Sequence, residues 1–222
     1  MINISDIFLP SCKVKAYTPE GSRIIKDYLE TNYDIEVTGC CKINYKSFTG
    51  KDRIVYLCNS CAAHTEESTP SNMISLWELI DQDDNFDFPD YSGRKMAIQD
   101  CWRSYDRKSQ QVAIRSLLEK MNIEVEEMDE NFEKTRFCGI STLKDLPIIS
   151  GKLAPRRFTE DAEGLFLPHS EEDKQRLMEK HCQEIHSDEV ICYCTACIEG
   201  ISLGEKKGYH LLDVLLGLVK LY

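Results

Sequence analysis

The sequence lacks any excess of basic charge: 27 lysines and arginines stand against 38 aspartates and glutamates, a net charge of −11. Non-specific nucleic-acid binding needs clustered Lys and Arg to neutralise phosphates, so the expectation is no nucleic-acid partner. The acidic run Glu124, Glu126, Glu127, Asp129 and Glu130 reads as a solvated face. Residues 1–9 show neither a basic region nor the long apolar stretch of a secretory leader. No apolar run approaches the roughly 20 residues of a membrane helix. The most apolar segment, 209–222, is interrupted by His210, Asp213 and Lys220 and reads as a buried or half-buried helix. The expectation is a soluble cytoplasmic protein without a membrane span. Several chemical signatures are also missing. There is no G-x-G-x-x-G, no G-x-x-x-x-G-K-[ST] phosphate loop, no G-x-S-x-G nucleophile elbow and no C-x-x-C-x-x-C ferredoxin run.

What the sequence does have is cysteine. Eleven occur, at positions 12, 40, 41, 58, 61, 101, 138, 182, 192, 194 and 197. In a reducing compartment structural disulfides are rare, so this content points to metal binding or redox chemistry. Free cysteine also serves as a small core residue, but the pairing as Cys-Cys and Cys-x-x-Cys exceeds what packing requires. With 42% hydrophobic and 29% charged residues, the 222-residue chain can bury an ordinary globular core in one large domain or two small ones.

The pattern of elements occurs twice. Ile7-Phe8-Leu9 reads as a strand leading to Cys12, followed by a helix over 19–31 with Ile24, Ile25, Tyr28 and Leu29 at helical spacing. Ile35-Glu36-Val37 is a second strand, running into Gly39-Cys40-Cys41. Arg53 to Leu57 is a third, ending at Cys58-Asn59-Ser60-Cys61 before a helix over 73–80. In the second half, Met96-Ala97-Ile98-Gln99 ends at Cys101, and a helix spans 107–121. Ile123 to Glu126 alternates as a strand, Phe137-Cys138-Gly139 takes the place of the Cys pair, and a helix spans 171–185. Glu189 to Tyr193 then ends at Cys194-Thr195-Ala196-Cys197, before a closing helix from Tyr209. A tandem duplication accounts for this order. The expected fold is α/β, with two related subdomains over 1–90 and 91–222, each a small parallel sheet flanked by helices. The linker is expected near 81–93, and an insertion in the second copy over 152–170.

Most of these cysteines fall just past a strand, where parallel α/β sheets place binding residues; Cys138 is the loosest case. The first half offers Cys12, Cys40, Cys41, Cys58 and Cys61, one sulfur more than a tetrahedral zinc site or a four-iron cubane takes. The second offers Cys101, Cys138, Cys194 and Cys197.

A single Cys after the first strand, then Cys-Cys, then Cys-x-x-Cys, resembles the cysteine-rich CCG domain. Paired copies of that domain occur in the B subunit of heterodisulfide reductase, in the iron–sulfur subunit of glycolate oxidase and in lactate-utilisation iron–sulfur proteins. The matching stretches are Phe8-Leu9-Pro10-Ser11-Cys12, Gly39-Cys40-Cys41 and Val55 to Cys61. In the second half they are Cys101, Phe137-Cys138-Gly139, and Cys194 with Cys197. The resemblance implies an iron–sulfur cluster, of the noncubane four-iron (4Fe-4S) kind, on the five first-half cysteines. It implies an oxidoreductase that reduces a disulfide or related thiol substrate, with electrons from a ferredoxin- or flavin-containing partner. Two departures stand out: Lys42 follows the Cys pair in place of Gly, and only 16 residues separate Cys41 from Cys58, fewer than is usual in that family. The second half lacks one cysteine, which leaves it a different cluster, zinc or no metal. The alternative function is a zinc-binding structural or regulatory module without catalysis.

Outside these sets, Cys182 on a helix reads as a plain thiol. Cys192 reads as core, with replacement of the missing sulfur as the second reading. His64 reads as a surface residue at the start of a helix, with a metal or proton role as the second reading. Lys42 reads as exposed, and Trp102 and Tyr45 read as core or as pocket walls.

Overall fold

The structure is a computed structural model that describes residues 6–219, so the last three residues of the expected closing helix lie outside the described part. The chain divides into two compact units. The first runs to Gln82 and also takes in Leu146–Glu163; the second holds Asp83–Asp145 and the chain from Gly164 onward.

In the first unit β1 (Asp6–Leu9) leads through the short α1 (Cys12–Tyr17) into α2 (Pro19–Tyr33). Thr18 caps α2 by accepting from the Gly21 N–H, Pro19 opens it, and Asp34 ends it in the left-handed conformation. Its Ile25 and Leu29 are buried. There follow β2 (Glu36–Val37), α3 (Cys41–Asn44), β3 (Arg53–Tyr56), α4 (Asn59–Ser68), β4 (Asn72–Ser75) and α5 (Leu76–Asp81). Ser75 and Glu78 close a reciprocal capping box on α5.

The second unit begins with β5 (Lys95–Gln99), α6 (Lys108–Lys120) and β6 (Glu124–Glu127). The chain then gives Leu146–Glu163, with α7 (Ile148–Leu153), to the first unit. There the Arg156 and Arg157 N–H groups donate to the Glu67 carboxylate, and Phe158 packs beside His64. The second unit resumes with α8 (Glu171–Cys182), β7 (Glu189–Cys192), α9 (Thr195–Leu203), β8 (Lys207–His210) and α10 (Leu211–Leu215).

Each unit is a four-stranded parallel sheet, in the order β2-β1-β3-β4 and β6-β5-β7-β8. The expected α/β architecture with two related parallel-sheet subdomains is therefore present, and the strand order repeats. In both sheets the central pair is nearly continuous apolar sequence: Phe8, Leu9, Ile54, Val55 and Tyr56 in one, Met96 to Ile98 and Val190 to Cys192 in the other, all buried. The first strand end of each pair carries an ion pair of opposite sense, Arg53 on β3 to Asp6 on β1, and Arg94 ahead of β5 to Glu189 on β7.

Two expected helices begin late. Met73 and Ile74 lie in β4, and Tyr209 and His210 lie in β8, so α5 and α10 start only at Leu76 and Leu211. These edge strands are four residues long and partly polar. Each runs into its helix without a loop, so the apolar residues of strand and helix merge into one spacing pattern.

Candidate metal centre

A 2-1-3-4 parallel order reverses direction between its two central strands, and a crevice opens there beyond their carboxyl ends. In the second unit those strands are β5 and β7. Cys101 lies two residues past β5 and caps the 3-10 turn Trp102–Ser104. Cys194 lies two residues past β7 and caps α9, which carries Cys197 in its first turn. Cys138 comes from the loop after β6 and caps the 3-10 turn Gly139–Ser141. The four sulfurs lie within 4.8 Å of one another, with Cys101 Sγ and Cys138 Sγ 3.4 Å apart. Cys101, Cys138 and Cys197 are buried, and Cys194 is partly so.

The approach of the Cys138 loop to α9 depends on glycine. Gly139 has φ +53°, and a Cβ there would stand 1.8 Å from the Ala196 carbonyl oxygen. Gly200, one turn along α9, faces Gly139 in turn: a Cβ on it would meet the Gly139 Cα at 2.6 Å. Gly139→Ala must therefore move Cys138 away from Cys194 and Cys197 while occupying a strained backbone region. We expect it to cost more than about 2 kcal/mol of stability and to lower metal content, measured by urea unfolding and by elemental analysis.

The other side of the site is held by a buried polar network. Asp100 is fully buried and receives the Arg115 guanidinium on both oxygens, at 2.7 and 2.9 Å. It also accepts from the Tyr193 hydroxyl at 2.8 Å and from the Phe132 N–H at 2.9 Å. The Tyr193 oxygen in turn accepts the Cys101 N–H at 3.0 Å and lies 2.9 Å from Ser104 Oγ. The loop that presents Cys101 is thus tied to an ion pair in the core. Trp102 donates its backbone N–H to the Phe137 carbonyl at 2.7 Å, which joins the Cys101 and Cys138 loops.

The site concentrates negative charge on one sulfur. Hydrogen bonds from the Cys101, Cys138 and Cys197 thiols, together with Arg103, hold Cys194 well below the ordinary thiol range. The hydrogen bond with Cys138 pushes Cys101 well up, and burial does the same to Cys197. Metal binding would replace the shared protons. Four thiolates about 2.3 Å from one ion at tetrahedral angles stand about 3.8 Å apart, so this set fits a single tetrahedral ion. A cube of four irons and four sulfides spreads its thiolates farther.

The first unit arranges its cysteines differently. Cys12 opens α1 and is exposed, and Cys40 caps α3 and is half-buried. Cys41 and Cys61 lie in the core cluster with Leu9, Phe48, Ile54, Tyr56 and Ala62, and Cys58 and Tyr45 pack against it. Hydrogen bonds link Cys61 to Cys41 and to Cys58. The hydrogen bond from Cys61, helped by His64 and Lys42, lowers the Cys41 thiol to about 5 against the opposing effect of burial. Among the described residues, the second unit's four cysteines are the only group of three or more Cys, His, Asp or Glu side chains drawn together tightly enough to hold a metal ion.

Several single residues stand where the sequence left a choice. His64 is buried, not a surface residue, with Nδ1 3.7 Å from Cys41 Sγ, because α4 turns it inward under Phe158. Cys192 is buried in β7 and lies outside the four-sulfur group. Cys182 is a buried thiol pushed up to about 11 by burial. Trp102 is buried against Phe166, with ring centroids 5.8 Å apart. Sequence reading passed over Arg103, Asp100 and Tyr193. The only signal for the first two was their position within two residues of Cys101, and for Tyr193 its place between Cys192 and Cys194.

Compared with protein families, curated proteins and solved structures, the chain finds no match. The site's chemistry is therefore read from its own geometry.

Proposed function

We propose that the chain is a metal-dependent thiol–disulfide oxidoreductase whose two units divide the work. The second unit holds one structural zinc on Cys101, Cys138, Cys194 and Cys197. The first unit carries the redox chemistry on Cys12, Cys40, Cys41, Cys58 and Cys61, around an iron–sulfur cluster. The observation that carries the metal half is the convergence of four sulfurs within 4.8 Å at a topological switch point. Zinc suits it because four thiolates in a closed tetrahedral set leave no open position for a substrate. Two things support the redox half. Cys41 is held near 5, so it is a thiolate at neutral pH, the form that ligates iron and attacks disulfides. The five cysteines also follow the carboxyl ends of β1, β2 and β3, as the resemblance to paired CCG domains requires. A bound cluster would supply electrons one at a time to a disulfide or related small thiol substrate, replenished by a ferredoxin- or flavin-containing partner. This chain's own residues would bind and orient that cluster, with Lys42 and His64 beside Cys41.

Anaerobic purification followed by zinc, iron and acid-labile sulfide analysis tests both halves. We expect one zinc per chain, lost in Cys194→Ser with iron retained, and iron with sulfide, lost in Cys41→Ser with zinc retained. Zinc without iron or sulfide would favour the second reading, a zinc-binding structural or regulatory module, which the closed spacing of the four sulfurs favours. Protein without any metal would overturn both.

A further inference from the structure

Four thiolates around a divalent ion carry a net charge of −2, and burying that charge without a counter-charge is costly. The second unit places one guanidinium directly on the sulfurs. Arg103, in the turn Trp102–Ser104, brings Nη1 to 2.6 Å from Cys138 Sγ and 3.7 Å from Cys194 Sγ. Its Nη2 donates to Ser141 Oγ at 2.5 Å. Ser141 closes the turn that begins at Gly139, so the same side chain grips both the sulfur of Cys138 and the loop that presents it.

We propose that Arg103 is the positioning and charge-compensating residue of the four-thiolate centre, setting how tightly the metal is held and how electron-rich two of its four ligands are. This rests on the reading that a metal binds there. The guanidinium is suited to the task because it stays charged and presents its donors in a rigid fork, one arm to sulfur and one to the loop hydroxyl. Donation to Cys138 and Cys194 draws electron density from those sulfurs and leaves Cys101 and Cys197 the stronger donors. An ammonium would supply the charge but could not span both partners in the same way.

The test uses the full chain and two metals, zinc for affinity by chelator competition and cobalt(II) for its sulfur-to-metal charge-transfer absorption. We expect Arg103→Gln to bind zinc about 10- to 100-fold more weakly. The cobalt charge-transfer band should move to lower energy, because the sulfurs it leaves behind give up electrons more readily. Arg103→Lys should recover part of the affinity. Ser141→Ala should weaken binding by a smaller factor without moving the band, since it loosens the loop and leaves the charge in place. A merely structural role for Arg103 would change stability without moving the band. If Arg103→Gln does not fold, Arg103→Lys carries the comparison, and lysine binding both metals as the parent does overturns the proposal. So does a glutamine variant with unchanged affinity and an unshifted band. A parent chain that binds neither zinc nor cobalt overturns the reading of the centre itself, which separates the two failures.

Discussion

Removing the proposed zinc from the second unit with a chelator is expected to cost that unit more than about 5 kcal/mol of stability. Ligand convergence of this kind is absent from an unfolded chain, so the free energy of binding is also free energy of folding, and structural zinc sites supply roughly 10 kcal/mol or more. The second unit keeps its own apolar core of Met96, Ile98, Ile114, Leu117 and Val190, so it loosens instead of vanishing. The loss should be greatest around Cys138, whose loop has no strand of its own and is held by α9, Arg103 and the sulfurs. The two tryptophans allow the measurement, since Trp77 lies in the first unit and Trp102 in the second, beside Cys101. In a Trp77→Phe chain, urea unfolding followed by Trp102 fluorescence should shift strongly on chelation. An unmoved curve would mean that the four sulfurs contribute nothing to folding as a metal site.

Asp100→Ala should be the most damaging single substitution away from the cysteines. It removes the buried one of the two carboxylates that hold Arg115, leaving only the more exposed Glu127, and with it the acceptor for Tyr193 and the acceptor for the Phe132 N–H. Deleting one member of a buried pair typically costs about 3–5 kcal/mol when the other charge is left alone. Glu127 still pairs with Arg115, so the expected loss is about 2–4 kcal/mol, from the buried hydrogen bonds of Asp100 together with the weakened ion pair. Tyr193 would also lose the anchor that fixes its oxygen under the Cys101 N–H. Weaker metal binding should therefore accompany the lost stability, and Tyr193→Phe should reproduce the metal effect with a smaller loss of stability. Chemical denaturation and chelator competition on the same samples read the two effects separately. A variant that loses stability yet binds metal normally would show that the network supports the core and not the site.

The parts of the fold that were legible in the sequence are those with a single strong period. The helix around Ile114, Leu117 and Leu118 and the strand around Ile98 declared themselves, because one face of the first and both faces of the second are buried. Edge strands β4 and β8 did not, since each abuts a helix whose apolar residues continue the pattern. Cys101, Cys194 and Cys197 could be chosen from sequence, because strand ends and a Cys-x-x-Cys at a helix start are local signals, and Cys138 from its place in the repeated pattern. Their closeness was not visible there. It depends on Gly139 and Gly200 packing back to back, a contact between residues 61 apart in the chain. Arg103 was illegible for a similar reason: an arginine near a cysteine is unremarkable until its fork is seen spanning Cys138 and Ser141. The burial of His64 was equally illegible, since the Phe158 that packs against it lies 94 residues further along the chain.

That loan of Leu146–Glu163 to the first unit governs the order in which a nascent chain can finish its work. When Gln82 leaves the ribosome, all four strands of the amino-terminal sheet have been made, but the Glu67 carboxylate still awaits the Arg156 and Arg157 N–H groups and His64 still awaits Phe158. Domains usually complete themselves in the order of synthesis. Here the earlier one must stay open at one flank while the whole β5–β6 stretch of its neighbour is translated. Cutting the gene once, between the units, would therefore yield two incomplete proteins.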